Sequence, residues 1–206
     1  MTGSGSGGDD RRARNPLDSL RASMRARRVA LPPAERMRAA EGVAAALLAD
    51  PGFAPGYVAG YWAMNGEVPL HVLQMRLRPD QVWCLPCLED DGRLRFAPWR
   101  PGDALVSNRF GIPEPALEPG SRLDPSELAV VLLPLVAFSG AGTRLGMGGG
   151  YYDRTFAFRK DSPAPPRLVG AGYDFQREDA LQPKPWDVPL DAVATESGLH
   201  PCPAGG

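Results

Sequence analysis

The residues most suited to chemistry lie between Ser139 and Arg154, Ser-Gly-Ala-Gly-Thr-Arg-Leu-Gly-Met-Gly-Gly-Gly-Tyr-Tyr-Asp-Arg. Gly146, Gly148, Gly149 and Gly150 take Cβ atoms out of a turn, so backbone N–H groups can close on an anion, helped by the free N–H groups that open a following helix. Arg144 adds a group able to grip phosphate through two parallel hydrogen bonds. Asp153 is a carboxylate beside that anion, an arrangement that makes sense when a divalent cation bridges carboxylate and phosphate. The loop is no standard phosphate loop. A Walker sequence needs Lys-Ser/Thr after its last glycine, where Tyr151 stands, and the dinucleotide fingerprint fits only as Gly146-x-Gly148-Gly-Gly-Tyr. A glycine-rich structural turn is the competing reading, and Tyr151, Tyr152 and Asp153 argue against it.

The elements needed to position this loop can be read on either side. Ala129–Phe138 is a continuous apolar run long enough for a strand buried on both faces, and Tyr151–Arg159 reads as the helix after the loop. Asn15 is an N-cap with Pro16 at the first helical position, which predicts a helix to Ala30. Arg21, Arg25 and Arg28 share one face of it, either a solvated basic face or a phosphate-facing stripe. Pro32-Pro33 starts a second helix to about Ala49, with Met37, Ala40, Ala44 and Leu47 on its apolar side. Further strands are expected at Tyr57–Trp62, Val82–Leu85 (ended by Pro86), Leu94–Phe96, Leu168–Gly172 and Ala192–Thr195, with a short helix from Pro69 to about Leu77. Pro98–Pro125 reads as a long irregular, functional or mobile loop. Strands alternating with helices predict an α/β fold, a three-layer α/β/α sandwich on a mainly parallel central sheet. One domain is expected over residues 15–198, with a disordered tail at 1–14 and a flexible one at 199–206.

Composition narrows the class. The chain has 206 residues, 43% hydrophobic and 23% charged, with 23 basic against 24 acidic side chains, so it is an ordinary globular chain and no general magnet for nucleic acid. Twenty-one of the 23 basic residues are arginine, leaving Lys160 and Lys184 as lysines. The longest apolar run is about half of what a bilayer requires, and no apolar signal segment follows Met1. The expectation is a cytoplasmic monomer with no membrane or nucleic-acid partner. Cys84-Leu-Pro-Cys87 is formally C-x-x-C, but it lies at a strand end rather than a helix start, so both thiols are expected to be inert. With His71 and His200 the only histidines, a zinc site or a hydrolase triad has little to draw on.

The glycine loop, preceded by Leu133-Pro-Leu-Val-Ala-Phe138, resembles the signature of the 5-formyltetrahydrofolate cyclo-ligase (5,10-methenyltetrahydrofolate synthetase) family. The likeness runs from about Leu20 to Glu196, through Leu20-Arg21, Asn65-Gly-Glu67-Val, Gly111-Ile-Pro-Glu-Pro115 and Trp186-Asp187-Val-Pro-Leu-Asp-Ala-Val-Ala-Thr-Glu196. It implies ATP- and Mg²⁺-dependent closure of 5-formyltetrahydrofolate, with or without a polyglutamate tail, to the 5,10-methenyl form. Catalytic roles fall on Arg144, Tyr151 and Asp153. The ATP site falls on Arg21, Arg144, Leu145, Gly146, Met147, Gly148, Gly149, Gly150, Tyr151 and Tyr152. Folate contact falls on Trp62, Glu67 and Gly148–Tyr151, and metal ligation on Asp153 and Asp187. Leu17 departs from the pattern, since many members carry a phosphate-binding lysine there, and Met147, Gly149 and Trp186 depart in lesser ways. Two other readings remain: a sugar-phosphate isomerase or CoA-transferase-like enzyme, for which Glu67 and Glu114 are the tempting nucleophiles, and a non-catalytic folate, nucleotide or RNA binder.

Overall fold

The computed structural model describes residues 15–162 and 164–203. The expected tail at 1–14 lies outside the described residues. Helix α1 spans Pro16–Ala30, capped by the Asn15 side chain, which accepts from the Leu17 N–H at 3.1 Å. Helix α2 spans Pro33–Leu48, again opened by proline, and α3 is one turn, His71–Gln74. The parallel strands are β1 (Gly56–Ala59), β2 (Gln81–Leu88), then β6 (Leu128–Pro134), β9 (Arg167–Ala171) and β10 (Ala192–Thr195). Antiparallel strands β3 (Leu94–Pro98) and β11 (Gly198–Pro201) close the two edges, giving the order β11-β10-β9-β6-β1-β2-β3.

Alternation along the strands sorts the core. Val58, Val130, Leu132 and Val169 point to the face covered by Ala40, Val43, Ala44 and Leu47 of α2 and by Val72 and Leu73 of α3. Ala59, Val131, Leu133 and Val193 point the other way, onto Phe138, Phe156, Val188 and Leu190. The second covering layer is therefore short: helix α4 (Tyr151–Thr155), a 3-10 turn at Ala157–Lys160 and irregular chain. Helix α1 belongs to neither layer. Its Met24 packs on Val136, Ala137, Leu145 and Leu181, above the carboxyl end of β6.

Several expectations are corrected. Met37 lies outside the packed side of α2 and is 44% exposed; Ala39 and Val43 take that place. Strand β2 runs through Pro86, because the edge its missing N–H would face is free there: β1 pairing ends at Ala59↔Cys84. The apolar run 129–138 breaks after Pro134, and Ala137–Phe138 (β7) pairs instead with Arg144–Leu145 (β8). The stretch 98–125 holds a hairpin, β4 (Leu105–Ser107) with β5 (Pro113–Pro115). The helix expected over Tyr151–Arg159 is α4 plus the separate 3-10 turn. The C-terminal segment expected to be flexible from 199 pairs in register with β10 as far as Pro201, His200 opposite Val193.

The arrangement fixes where a site can form. From β1 the chain winds outward to β2; it then returns to β6 on the other side of β1 and winds away through β9 and β10. The connections after β1 and β6 diverge at their carboxyl ends, which opens a crevice between these two strands.

Candidate functional site

That crevice is a cavity of ≈ 580 Å³, within the usual range for a small-molecule site. Every residue to which the resemblance gives a site role borders it: Arg21 from α1, Trp62 and Glu67 after β1, Arg144–Asp153 after β6, and Asp187 from the last connection.

The glycine loop forms one wall of the cavity. Gly148 has φ +100°, and a Cβ built there meets nothing within 4 Å, so the side-chain direction of this residue is open space. Gly150, at φ +65°, turns the chain into α4. With only five residues α4 has little dipole, so the expected help from a helix start is small and the loop's own N–H groups and cations dominate. Arg21 supports the loop from α1: its Nε donates to the Gly146 carbonyl at 3.0 Å and its Nη1 to Asp18 at 2.7 Å. The Leu145 side chain turns away into the cluster around Met24, leaving only its backbone for a ligand. Met147 is 48% exposed at the mouth.

Arg144 is buried, and its Nη2 donates to Asp153 Oδ1 at 2.7 Å. The same oxygen accepts from the Val188 N–H at 3.2 Å, which ties α4 to the segment carrying Asp187. Arg144 Nε is itself buried and has no acceptor among the described residues. Asp187 Oδ2 accepts from the Lys184 N–H at 2.9 Å. Asp153 and Asp187 are hard oxygen donors on one cavity. Mg²⁺ takes one or two such carboxylates and fills its shell with water and phosphate oxygens, so the pair fits a metal carried in with phosphates. Among the described residues no group of three or more His, Cys, Asp or Glu side chains is placed to hold a metal ion.

The opposite wall is aromatic and acidic. Trp62 is 36% exposed at the cavity and meets Trp99 in a T-shaped pair at 5.8 Å. Glu67 Oε2 accepts from the Met64 N–H at 3.0 Å, and its other oxygen lies 3.8 Å from Arg28 Nη1. Burial pushes the Glu67 carboxyl above the ordinary carboxylate range, with the Met64 N–H and Arg28 pulling back. Tyr151 packs edge-on against Phe110, while Tyr152 stacks on Phe156; burial raises the Tyr152 phenol pKa.

Sequence reasoning did not assign Lys184 or the β4–β5 hairpin to the site. Lys184 brings a third cation to the cavity. The β4–β5 hairpin brings Asn108, Phe110 and Glu114, and Asn108 Nδ2 and the Leu88 N–H both donate to Glu114 Oε1, at 2.7 and 2.8 Å. The long connection had signalled function, but short proline-bounded strands hid the hairpin. The arginine face of α1 divides three ways: Arg21 holds the loop, Arg25 is exposed, and Arg28 is buried. Leu17 packs beside Met24 and Leu145, in keeping with an apolar residue there. Cys84 and Cys87 are buried within β2, and burial pushes their thiols up to about 12 and about 11.

A mainly parallel sheet whose switch point carries a glycine loop, cations and two carboxylates on one cavity defines an α/β protein with a small-molecule-sized site at the carboxyl ends of its strands. Residues 14–196 match the sequence profile of the 5-formyltetrahydrofolate cyclo-ligase family, and the chain belongs to that family. It is 36% identical over 178 residues to the 5-formyltetrahydrofolate cyclo-ligase of Escherichia coli (strain K12), covering 84% of this chain and 97% of the relative. The enzyme of that name from Haemophilus influenzae is 36% identical over 137 residues, 65% of this chain and 72% of its own. Among solved structures, Aquifex aeolicus 5,10-methenyltetrahydrofolate synthetase superposes with a TM-score of 0.77 at 31% identity, covering 92% of this chain and 94% of that one. A synthetase from Mycoplasma pneumoniae, with a TM-score of 0.65 and 21% identity over 88% of this chain and 99% of its own, shares the fold.

Proposed function

We propose that this chain converts 5-formyltetrahydrofolate to 5,10-methenyltetrahydrofolate at the expense of ATP, with Mg²⁺, releasing ADP and phosphate. One observation carries the reading: the glycine cradle, Arg144, Asp153 and Asp187 share a single cavity with Trp62 and Glu67. An anion wall and a flat-ring wall face the same space. The N-formyl group is an amide whose oxygen leaves poorly. Transfer of the γ-phosphoryl group to that oxygen makes it a leaving group; folate N10 then attacks the formyl carbon, the ring closes and phosphate departs. The nucleophile belongs to the substrate, so effective molarity is high and no protein nucleophile is needed.

The protein's work is alignment and charge neutralisation. The N–H groups of Gly146–Gly150 hold the phosphates, with Arg21 fixing the loop from behind through Gly146. Arg144, which lines the cavity and is tied to Asp153, places its positive charge beside the transferring group, and Tyr151 borders both ligands. Asp153 and Asp187 would hold Mg²⁺, which when bound neutralises phosphate oxygens. Trp62 stacks on the pterin, and Glu67 accepts N–H groups from its edge. The two glutamates that a nucleophilic mechanism would use are already held, Glu67 by the Met64 N–H and Glu114 by the Leu88 N–H and Asn108. Three free thiols, two of them buried, support a reducing cytoplasmic setting. We place the protein there as a monomer.

The test mixes the protein, Mg·ATP and 5-formyltetrahydrofolate at mildly acidic pH and follows absorbance of the methenyl product. The expected result is a rise that needs ATP and metal; no rise at micromolar protein overturns the reading.

A further inference from the structure

Arg28 does something the other arginines of α1 do not. Its side chain is 1% exposed, and it does not border the cavity. Nη1 donates to the Leu135 carbonyl at 3.0 Å and lies 3.8 Å from Glu67 Oε1. Nε and Nη2 find no acceptor among the described residues. Stability does not account for such a residue, because an apolar side chain of similar volume would fill the space without desolvating a charge. A buried charge with donors left over, directly behind a carboxylate that faces a ligand cavity, points to function.

The surroundings make Arg28 the counter-charge to Glu67. The turn that carries Glu67 lies on the backbone of α1: a Cβ at Gly66 would come within 2.8 Å of the Arg28 carbonyl. Three phenols face the carboxylate, Tyr61, Tyr152 and Tyr173. Tyr61 donates its O–H to the Val68 carbonyl and Tyr173 to the Gly66 carbonyl, both at 2.9 Å, so neither hydroxyl is spent on Glu67. Arg25, on the same helix, is the other charge facing Arg28.

We infer that Arg28 is a positioning residue of the substrate site, a fixed buried cation that aims the Glu67 carboxylate into the cavity and thereby sets the affinity for folate. This rests on the reading of Glu67 as the acceptor of the substrate's N–H groups. An ionised Glu67 presents acceptors alone; once protonated, it turns a donor toward donors. Burial already pushes its carboxyl up, and loss of Arg28 pushes it further. Affinity falls as pH drops through that value, so without Arg28 the fall begins at higher pH.

The experiment uses the whole chain and reads binding of 5-formyltetrahydrofolate without ATP, by quenching of tryptophan fluorescence, from acid to neutral pH. The variants are R28Q, R28K, E67Q and the double variant R28Q/E67Q. R28Q is expected to weaken binding about tenfold, more at low pH, with its acid limb moved to higher pH. R28K is expected to recover most of the loss, and R28Q to cost less than about twofold in the E67Q background. A loss equal at every pH, a loss not recovered by R28K, or the same loss with and without Glu67 overturns the inference. If R28Q does not fold, R28K decides: binding near the native level supports the inference, and a tenfold, pH-independent loss overturns it. If E67Q itself binds folate normally, the substrate reading of Glu67 fails, a result distinct from a failure of Arg28 alone.

Discussion

Asp153 is held on two sides, by Arg144 at 2.7 Å and by the Val188 N–H at 3.2 Å, and this decides how it can be probed. Replacing it with alanine strands a guanidinium whose side chain is 5% exposed, at a cost of about 3 kcal/mol, so lost turnover would be confounded with lost stability. Asp153→Asn keeps an acceptor for Arg144 while removing the charge. It is expected to lower kcat by roughly 100-fold or more while destabilising the fold less than alanine does, checked by methenyl absorbance and thermal denaturation. Glu67 gives a second prediction, on stability. Its carboxyl is raised in the folded protein, so the folded state binds the proton more tightly than the unfolded one. The resulting stabilisation is present below the unfolded value, near 4.5, and is lost as pH rises through the folded value. Melting temperatures across this range should show that decline in the native protein and lack it in E67Q.

The glycine loop, α1 and the β4–β5 hairpin act as elements rather than as collections of side chains. Gly148→Ala places a Cβ in the cavity and a left-handed φ of +100° on an L-residue, a strain of about 1–2 kcal/mol. Gly146 has no such φ, and its Cβ would meet only Arg144 Nη1 at 3.4 Å. G148A should therefore weaken nucleotide binding about tenfold, and G146A clearly less, as measured by calorimetric titration. The loop's chemistry was legible because glycine positions, a following aspartate and an adjacent arginine are local features. The break of the following helix after Thr155 was not, since Phe156 is drawn into the core beside Phe96 and Phe138, a tertiary demand that overrides local helix preference.

The molecule as a sheet makes its own prediction. Strand β10 is buried at all four positions, and β11 is its only cover on the outer edge. Removing residues 198–206 strips that edge, leaving unpaired backbone groups on an apolar strand. The shortened chain should melt several degrees lower and aggregate on heating, read by light scattering alongside circular dichroism. The polar, proline-bounded look of the C-terminus concealed this strand, because pairing with β10 supplies what its composition does not. Thiol chemistry also belongs to the assembled sheet: Cys84 and Cys87 should resist a thiol reagent until the protein unfolds, with Cys202 reacting first.

Alternation, capping and glycine placement act over a few residues, and so α1, α2, the parallel strands and the cradle could be read from the order of amino acids. The meeting of Arg21 with Gly146, of Arg28 with Glu67 and Leu135, and of Glu114 with Leu88 could not. Each joins segments far apart in the chain, and helical periodicity says which residues share a face but not what that face meets. Packing of α1 over the end of β6, and divergence of the chain on either side of β1, turned one arginine toward the glycine loop and buried another behind a carboxylate.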